Sequence, residues 1–314
     1  MPPLNELYNK YEGERIFLLG NGPSLQDTPL EKIDNEYTMG MKRVNDIYDQ
    51  TSWRPSFYFN PREDLPDKEE RFIGQNIKDG IACFINKETF HKFGEHDNVY
   101  YIDRKEWKRE PVTSIAGNDI HSKDFTELEK ESIEESYRYW SDDPAEFLYT
   151  YNSMFAAIQL AVYFGFDEIY LLGCDLGYDY HDPHMIFDTG VDPMDYSTGP
   201  KDFLTRIPAF LKGCLKERVV LRSMANAIAF LLFLTPLAGM YIRFTQSILN
   251  SGDPNHFSST YRVMPKDNRY ANEEIRRSHI VVKKILEDLN IDIYNATVGG
   301  ELEVYERVDI EEIL

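Results

Sequence analysis

Short apolar runs alternate with longer amphipathic stretches along the chain. Runs rich in β-branched and aromatic residues, closed by Gly, Pro, Asn or Asp, predict buried strands. We expect these strands at 16–19, 37–44, 56–61, 81–85, 98–102, 167–175 and 291–297. Apolar positions at helical spacing predict helices at 25–33, 67–79, 154–164, 272–289 and 309–314. Because strands and helices alternate, the chain is expected to form an α/β fold with a mostly parallel sheet and helices on both faces.

Residues 201–250 break this alternation. The stretch from Ser223 to Ile242 carries no charge over 20 residues, which is close to the length that spans a bilayer. Three interpretations stay open: a full membrane span, a buried pair of core helices, and a monotopic hairpin that enters one leaflet and turns at 236–239. We favour the hairpin because it explains both the apolar run and its basic flanks. It predicts a helical insertion at 201–250 between core segments 1–200 and 251–314.

The charge distribution also separates this insertion from the rest of the chain. The formal net charge is −20, yet residues 201–245 carry seven Lys/Arg against two acidic residues. The remaining residues carry 27 basic against 52 acidic side chains. The acidic balance excludes nucleic acid as the main partner. The basic segment predicts contact with a membrane surface through 201–245, where each basic side chain contributes roughly 1 kcal/mol near anionic lipid.

Cysteine usage and the amino terminus indicate the compartment. The cysteines at 83, 174 and 214 are odd in number and widely spaced, so they predict neither a disulfide framework nor a zinc site. The first residues lack the basic and apolar regions of a signal peptide. We therefore expect a cytoplasmic protein that is peripheral or monotopic at the inner face of the membrane. Homo-oligomerisation stays open.

The first candidate site follows the first strand, where the chain reads Gly20-Asn21-Gly22-Pro23-Ser24. Glycines let the backbone turn sharply and approach a ligand closely. Ser24 or Asp27 is expected to cap a following helix, whose amino terminus would attract an anion. This pattern predicts a nucleotide or phosphate site, with a plain tight turn as the alternative.

A second group of polar residues follows the strand that ends at Asp175. Tyr178, Tyr180, His181 and His184 come within the next nine residues. Ligands of open α/β sheets bind at this edge, so Asp175 and His184 are catalytic candidates. Asp175 could bind a divalent ion together with His181 or His184, although the chain has no strong metal motif. A structural role for Asp175, capping the turn after its strand, is the alternative.

The run from Gly20 to Leu25, Gly-Asn-Gly-Pro-Ser-Leu, resembles the opening motif of two related groups. One is the small bacterial sialyltransferases that use CMP-activated sugars. The other is the MptE-like domain family, whose named activity is 6-hydroxymethylpterin diphosphokinase. The resemblance extends over roughly 12–100, 150–185 and 253–314, and it implies a Rossmann-like core that is divided by the insertion.

The resemblance also implies roles for individual residues. Asn21 and Gly22 would hold the nucleotide phosphate region, and Gly20, Pro23 and Ser24 of the same motif are nucleotide-binding candidates with them. Other donor contacts are implied at Asn45, Asn60, Ser153, Tyr178 and Tyr180. His256 falls close to the histidine base of such sialyltransferases.

The resemblance and the residues together predict a metal-independent glycosyltransferase. It would move a sugar from a nucleotide sugar, the CMP-activated donor, to a glycan or lipid-linked acceptor, with histidine as the base. The alternative is pyrophosphoryl transfer from ATP to a pterin, which requires Mg²⁺ held by carboxylates. Lys42 and Arg43 are the cations nearest to the glycine motif. A third hypothesis is an inactive nucleotide-binding scaffold.

Overall fold

The structure is a computed structural model that describes residues 2–102, 152–177 and 271–314, with short pieces at 130, 136–137, 140–145, 148 and 256–257. The chain divides into two compact units. The first unit consists of Met1–Gly177 and Ala271–Leu314, and the second of Tyr178–Tyr270. The predicted insertion at 201–250 falls in the second unit and outside the described residues.

A parallel sheet forms the centre of the first unit. In the part of the chain that the structure describes, its strands are β1 Arg15–Leu19, β2 Tyr37–Met41, β3 Phe57–Asn60, β4 Ala82–Asn86, β5 Val99–Ile102, β6 Glu168–Leu172, β7 Asp292–Asn295 and β8 Glu306–Arg307. Their order is β5-β4-β3-β2-β1-β6-β7-β8, and every pairing is parallel. The predicted Rossmann-like α/β fold is confirmed.

The strand β1 is apolar along almost its whole length because it lies in the middle of this sheet. The side chains from Ile16 to Leu19 are fully buried. Leu19 pairs with Gly40 of β2 on one side and with Leu172 of β6 on the other. A parallel strand that is covered on both faces has no solvent-facing side, so it needs no polar alternation.

Helices lie at four of the five positions that the apolar spacing predicted, with small shifts at their ends, and α2 is a short helix that it did not predict. The described α-helices are α1 Asp67–Lys78, α2 Phe90–Phe93, α3 Ser153–Phe164, α4 Ala271–Leu289 and α5 Ile310–Ile313. The side chain of Asn152 caps α3 by accepting the Met154 N–H at 3.0 Å. Gly165 ends that helix with φ at 93°, a conformation that glycine adopts without steric cost.

The helix predicted at 25–33 is wrong. Two 3₁₀ helices occupy this region, Pro23–Asp27 and Leu30–Ile33. Pro29 is the cause, since the residue before a proline is driven out of the helical region. Thr28 accordingly has φ −82° and ψ 127°.

Strand β2 is shorter than predicted. It ends at Met41 because Lys42 takes a left-handed backbone with φ at 48°. A 3₁₀ helix, Val44–Ile47, follows in place of more strand. Among the described residues no helix is both long and apolar enough to cross a membrane, and the run at 223–242 lies outside them.

Candidate functional site

The strand order reverses between β1 and β6. From β1 the chain builds β2 to β5 on one side, and β6, β7 and β8 complete the other side. Loops that leave the carboxyl ends of such strands run in opposite directions, which opens a crevice where ligands of α/β sheets bind. The loops at this point are Gly20–Ser24 after β1 and Gly173–Asp175 after β6, so the structure brings both predicted motifs together.

The two loops are in direct contact through their backbones. Gly20 N–H donates to the Leu172 carbonyl at 2.8 Å, and Gly22 N–H donates to the Gly173 carbonyl at 2.9 Å. A Cβ atom on Gly20 would lie 2.3 Å from the Gly173 oxygen. A Cβ atom on Gly22 would lie 1.8 Å from Oδ2 of Asp175. These glycines are therefore required for the close approach of two protein loops.

The Asp175 carboxylate holds the turn after β1. Its Oδ1 accepts the Ser24 N–H at 3.1 Å and its Oδ2 accepts the Ser24 hydroxyl at 2.8 Å. The prediction that Ser24 caps a helix is wrong, because Gly22 is the residue before the 3₁₀ helix and Ser24 binds Asp175 instead. Asp27, the other predicted cap, is the last residue of that helix. The Ser24 N–H lies in the segment that was expected to bind an anion, and it already binds the Asp175 carboxylate.

A third loop, which follows β7, packs against Asp175. The Glu301 N–H donates to the Asp175 carbonyl at 2.5 Å, and a Cβ on Gly300 would lie 2.5 Å from the same oxygen. The Arg307 guanidinium fixes this loop by donating to the carbonyls of Gly299 and Gly300 at 2.6 and 3.0 Å. Burial raises the pKa of Asp175, while hydrogen bonds from Ser24 and the charge of Arg307 oppose this rise.

Asn21 links the turn to the neighbouring strand. Its Nδ2 donates to the carbonyl of Met41, the last residue of β2, at 3.2 Å. Its Oδ1 is buried and accepts no hydrogen bond from any residue that the structure describes. A buried acceptor without a partner costs free energy, so this oxygen is suited to accept an N–H or O–H group from a ligand.

Asn45 has a partner inside the protein. Its side-chain amide exchanges two hydrogen bonds with that of Asn76, at 2.8 and 3.2 Å. Asn45 is 6% exposed, and its contacts are those of a residue in the protein core. The donor contact that the resemblance implies for Asn45 would require this pair to separate.

Asn60 is likewise internal. It is fully buried, and its Nδ2 donates to Oε2 of Glu69 at 2.8 Å. Its Oδ1 accepts the Arg62 N–H at 3.2 Å. These bonds fix the chain where it leaves β3, so the described role of Asn60 is structural.

The remaining predicted site residues lie at the start of α3, in the second compact unit or outside the described residues. Ser153 is the first residue of α3 and is partly buried. Tyr178, Tyr180 and His184, together with His181, lie outside the described residues. His256 belongs to the second compact unit. Their implied roles stay predictions.

Lys42 lies at the carboxyl edge of the sheet, and the sequence pattern did not indicate it as a residue of the candidate site. The sequence placed it near the glycine motif, yet only the sheet order shows that β2 lies directly beside β1. Its left-handed backbone conformation has no signal in the sequence, because lysine is not a residue that favours it.

The described residues contain no group of three or more His, Cys, Asp or Glu side chains that could hold a metal ion. Comparison with known proteins gives no match, whether to a protein-family model, a curated protein or a solved structure.

Proposed function

We propose that this protein is a glycosyltransferase that moves a sugar from a CMP-activated donor to a glycan or lipid-linked acceptor. The observation that carries the proposal is the place of the Gly20–Leu25 motif. The motif resembles that of CMP-sugar-dependent sialyltransferases, and it lies where the strand order of an all-parallel sheet reverses. Crevices at such points bind nucleotides in many unrelated α/β proteins.

The charges at this point constrain how the nucleotide lies. A phosphate against the Ser24 N–H would meet the Asp175 carboxylate, which already accepts that N–H. Two like charges about 4 Å apart repel by roughly 4 kcal/mol at an effective dielectric constant of 20. We therefore place the nucleoside, which is neutral, nearest to Asp175 and the phosphate on the β2 side of the turn. The Asn21 Oδ1 accepts an N–H or O–H group of the nucleoside in this arrangement.

The reaction is a single displacement at the anomeric carbon. The acceptor hydroxyl oxygen forms a bond to that carbon, and the bond between the carbon and the CMP phosphate oxygen breaks. CMP leaves with the electron pair, and the sugar configuration inverts because the acceptor oxygen attacks from the face opposite CMP. The acceptor proton passes to a histidine, for which His256 is the first candidate and His184 the second. The proposed transfer requires no metal ion.

The acceptor and the location are part of the same proposal. A membrane-associating segment at 201–245 would bring the enzyme to a lipid-linked acceptor at the cytoplasmic face of a membrane. Its seven basic residues provide the attraction to anionic lipid.

A thermal-shift panel tests the nucleotide class. CMP, CDP, UDP, GDP and ATP are each added to the full chain, with and without Mg²⁺. We expect CMP to raise the melting temperature without metal, because a ligand at 100 times its Kd stabilises the native state by about 2.7 kcal/mol. Stabilisation only by ATP with Mg²⁺ would reject the proposal in favour of pyrophosphoryl transfer. No response to any nucleotide would reject the proposed nucleotide site.

A further inference from the structure

Lys42, directly after β2, is held in an unfavourable backbone conformation at the carboxyl edge of the sheet. Its φ is 48°, and a left-handed residue other than glycine costs about 1–2 kcal/mol. Two contacts fix it there. Its N–H donates to the Phe59 carbonyl at 3.0 Å, and its own carbonyl accepts the Tyr58 hydroxyl. Strain of this kind is retained where the surrounding structure requires one side-chain position.

The nearby carboxylates are paired with other cations. Asp46 binds Arg43 at 2.5 Å and also binds Lys68. Glu69 lies 3.6 Å from the Arg62 guanidinium. Among the described residues, Lys42 has no carboxylate within the 4.0 Å limit of an ion pair. The linked set, which is Lys42 with the residues of these three ion pairs, comprises four cations and two carboxylates, in a chain whose formal net charge is −20.

The surroundings of Lys42 disfavour the charged form of its side chain. Burial lowers the pKa of the Lys42 amine, and the Arg62 charge lowers it further, while the Glu69 carboxylate opposes both. The residue is nevertheless partly exposed. A largely buried ammonium group that has no counter-ion among the described residues is suited to bind an anion.

Lys42 also lies next to the turn where the nucleotide is proposed to bind. Asn21 in that turn donates to the carbonyl of Met41, the residue that precedes Lys42. On the opposite side of the turn is the Asp175 carboxylate, which accepts two hydrogen bonds from Ser24. The Asp175 carboxylate thus lies towards β6 and Lys42 lies towards β2, so an anionic group is better placed on the β2 side.

We propose that Lys42 is a phosphate-binding residue, and that its ammonium group binds the phosphoryl oxygens of a nucleotide whose nucleoside lies on the Gly20–Ser24 turn. This inference rests on the proposed nucleotide site and assigns a residue to its anionic part. The phosphate supplies the counter-ion that the described residues do not provide, and a charge-assisted hydrogen bond forms between them.

The variant Lys42→Asn tests the assignment in the full chain. Asparagine tolerates the left-handed conformation better than most residues, so the fold is expected to be retained. Isothermal titration compares CMP with cytidine, which has the same nucleoside without phosphate. We expect the variant to bind CMP about 10- to 100-fold more weakly, with cytidine binding unchanged.

Lys68→Asn is the matched control. It removes the same charge from the same linked set, but Lys68 already has Asp46 as a partner. Its CMP affinity is expected to stay within about threefold of the wild type, because a more distant charge acts through solvent screening. If both variants lose the same CMP affinity, the effect comes from the local electrostatic field alone. That result would reject a direct contact between Lys42 and the phosphate.

The outcomes separate this proposal from the proposed function. If Lys42→Asn binds CMP as well as the wild type, the Lys42 assignment is rejected and the nucleotide site stands. If the wild type binds neither CMP nor cytidine, the CMP donor is rejected. Thermal shift with inorganic phosphate and pyrophosphate then tests whether Lys42 binds an anion. If these ions stabilise the wild type but not Lys42→Asn, the anion site is retained. If they do not stabilise the wild type, the anion site is rejected.

Discussion

A buried histidine makes the stability of this protein sensitive to acid. His279 in α4 is 2% exposed, and its Nδ1 lies 2.8 Å from the Tyr305 hydroxyl. Burial lowers the pKa of His279 from its usual 6.5 to about 4. The folded state therefore keeps this ring neutral at pH values where the unfolded chain binds a proton.

The magnitude follows from this difference in pKa. One pKa unit corresponds to 1.36 kcal/mol, so the full effect is about 3 kcal/mol. Because the folded pKa is the lower one, the unfolded state binds more protons as pH falls below 6.5. The loss of stability starts there and is complete near pH 4. Between pH 7 and pH 5 it amounts to about 2 kcal/mol.

Urea unfolding at pH 7, 6 and 5 measures this contribution. The variant His279→Gln removes the titrating ring, while His91→Gln, at an exposed position, is the control. Between pH 7 and pH 5, we expect the free energy of unfolding to fall by about 2 kcal/mol more in the wild type and in His91→Gln than in His279→Gln. If all three proteins lose the same free energy of unfolding, His279 is not held neutral and the argument from burial is wrong.

Two further predictions concern the site and its surroundings. Gly22→Ala places a carbon 1.8 Å from Oδ2 of Asp175, so we expect a loss of about 1–3 kcal/mol in unfolding free energy, and a smaller loss when Asp175 is already alanine. Gly74→Ala in α1 is the control, because the new carbon meets nothing within 4 Å. Its free energy of unfolding should rise by about 0.5–1 kcal/mol. Equal losses in the two variants would contradict the predicted clash at Gly22. Asn45→Ala removes the acceptor of the Asn76 Nδ2, although Tyr48 still donates to the Asn76 Oδ1, so we expect about 1–3 kcal/mol of destabilisation with unchanged CMP affinity. Weaker CMP binding at unchanged stability would instead identify Asn45 as a ligand contact.

Local pattern was sufficient to predict most elements of the sheet. The run from Ile16 to Leu19 predicts a buried strand because a central parallel strand has no solvent-facing side. Gly165 predicts the end of α3 because the left-handed conformation there favours glycine. The break at Thr28 was also encoded locally, in the proline that follows it, but the apolar spacing of 25–33 concealed it.

The partners of the polar residues were decided only by the tertiary structure. Ser24 and Asp175 are 151 positions apart, and no local pattern indicates that one binds the other. The same is true of Asn45, whose amide pairs with Asn76 across 31 positions, and of Lys42, whose environment depends on side chains from β3 and α1.

The pattern of residues along the chain was enough to predict the α/β class, the glycine turn after β1 and the acidic residue that follows β6. The strand order places the glycine turn and Asp175 side by side, because β6 lies next to β1 in the sheet although β2 to β5 come between them in the chain. Hydrophobic periodicity reflects which side chains are buried, and it carries no information on which buried polar groups meet. That distinction is why the sequence predicted a helix amino terminus open to an anion, whereas the folded chain fills it with the Asp175 carboxylate.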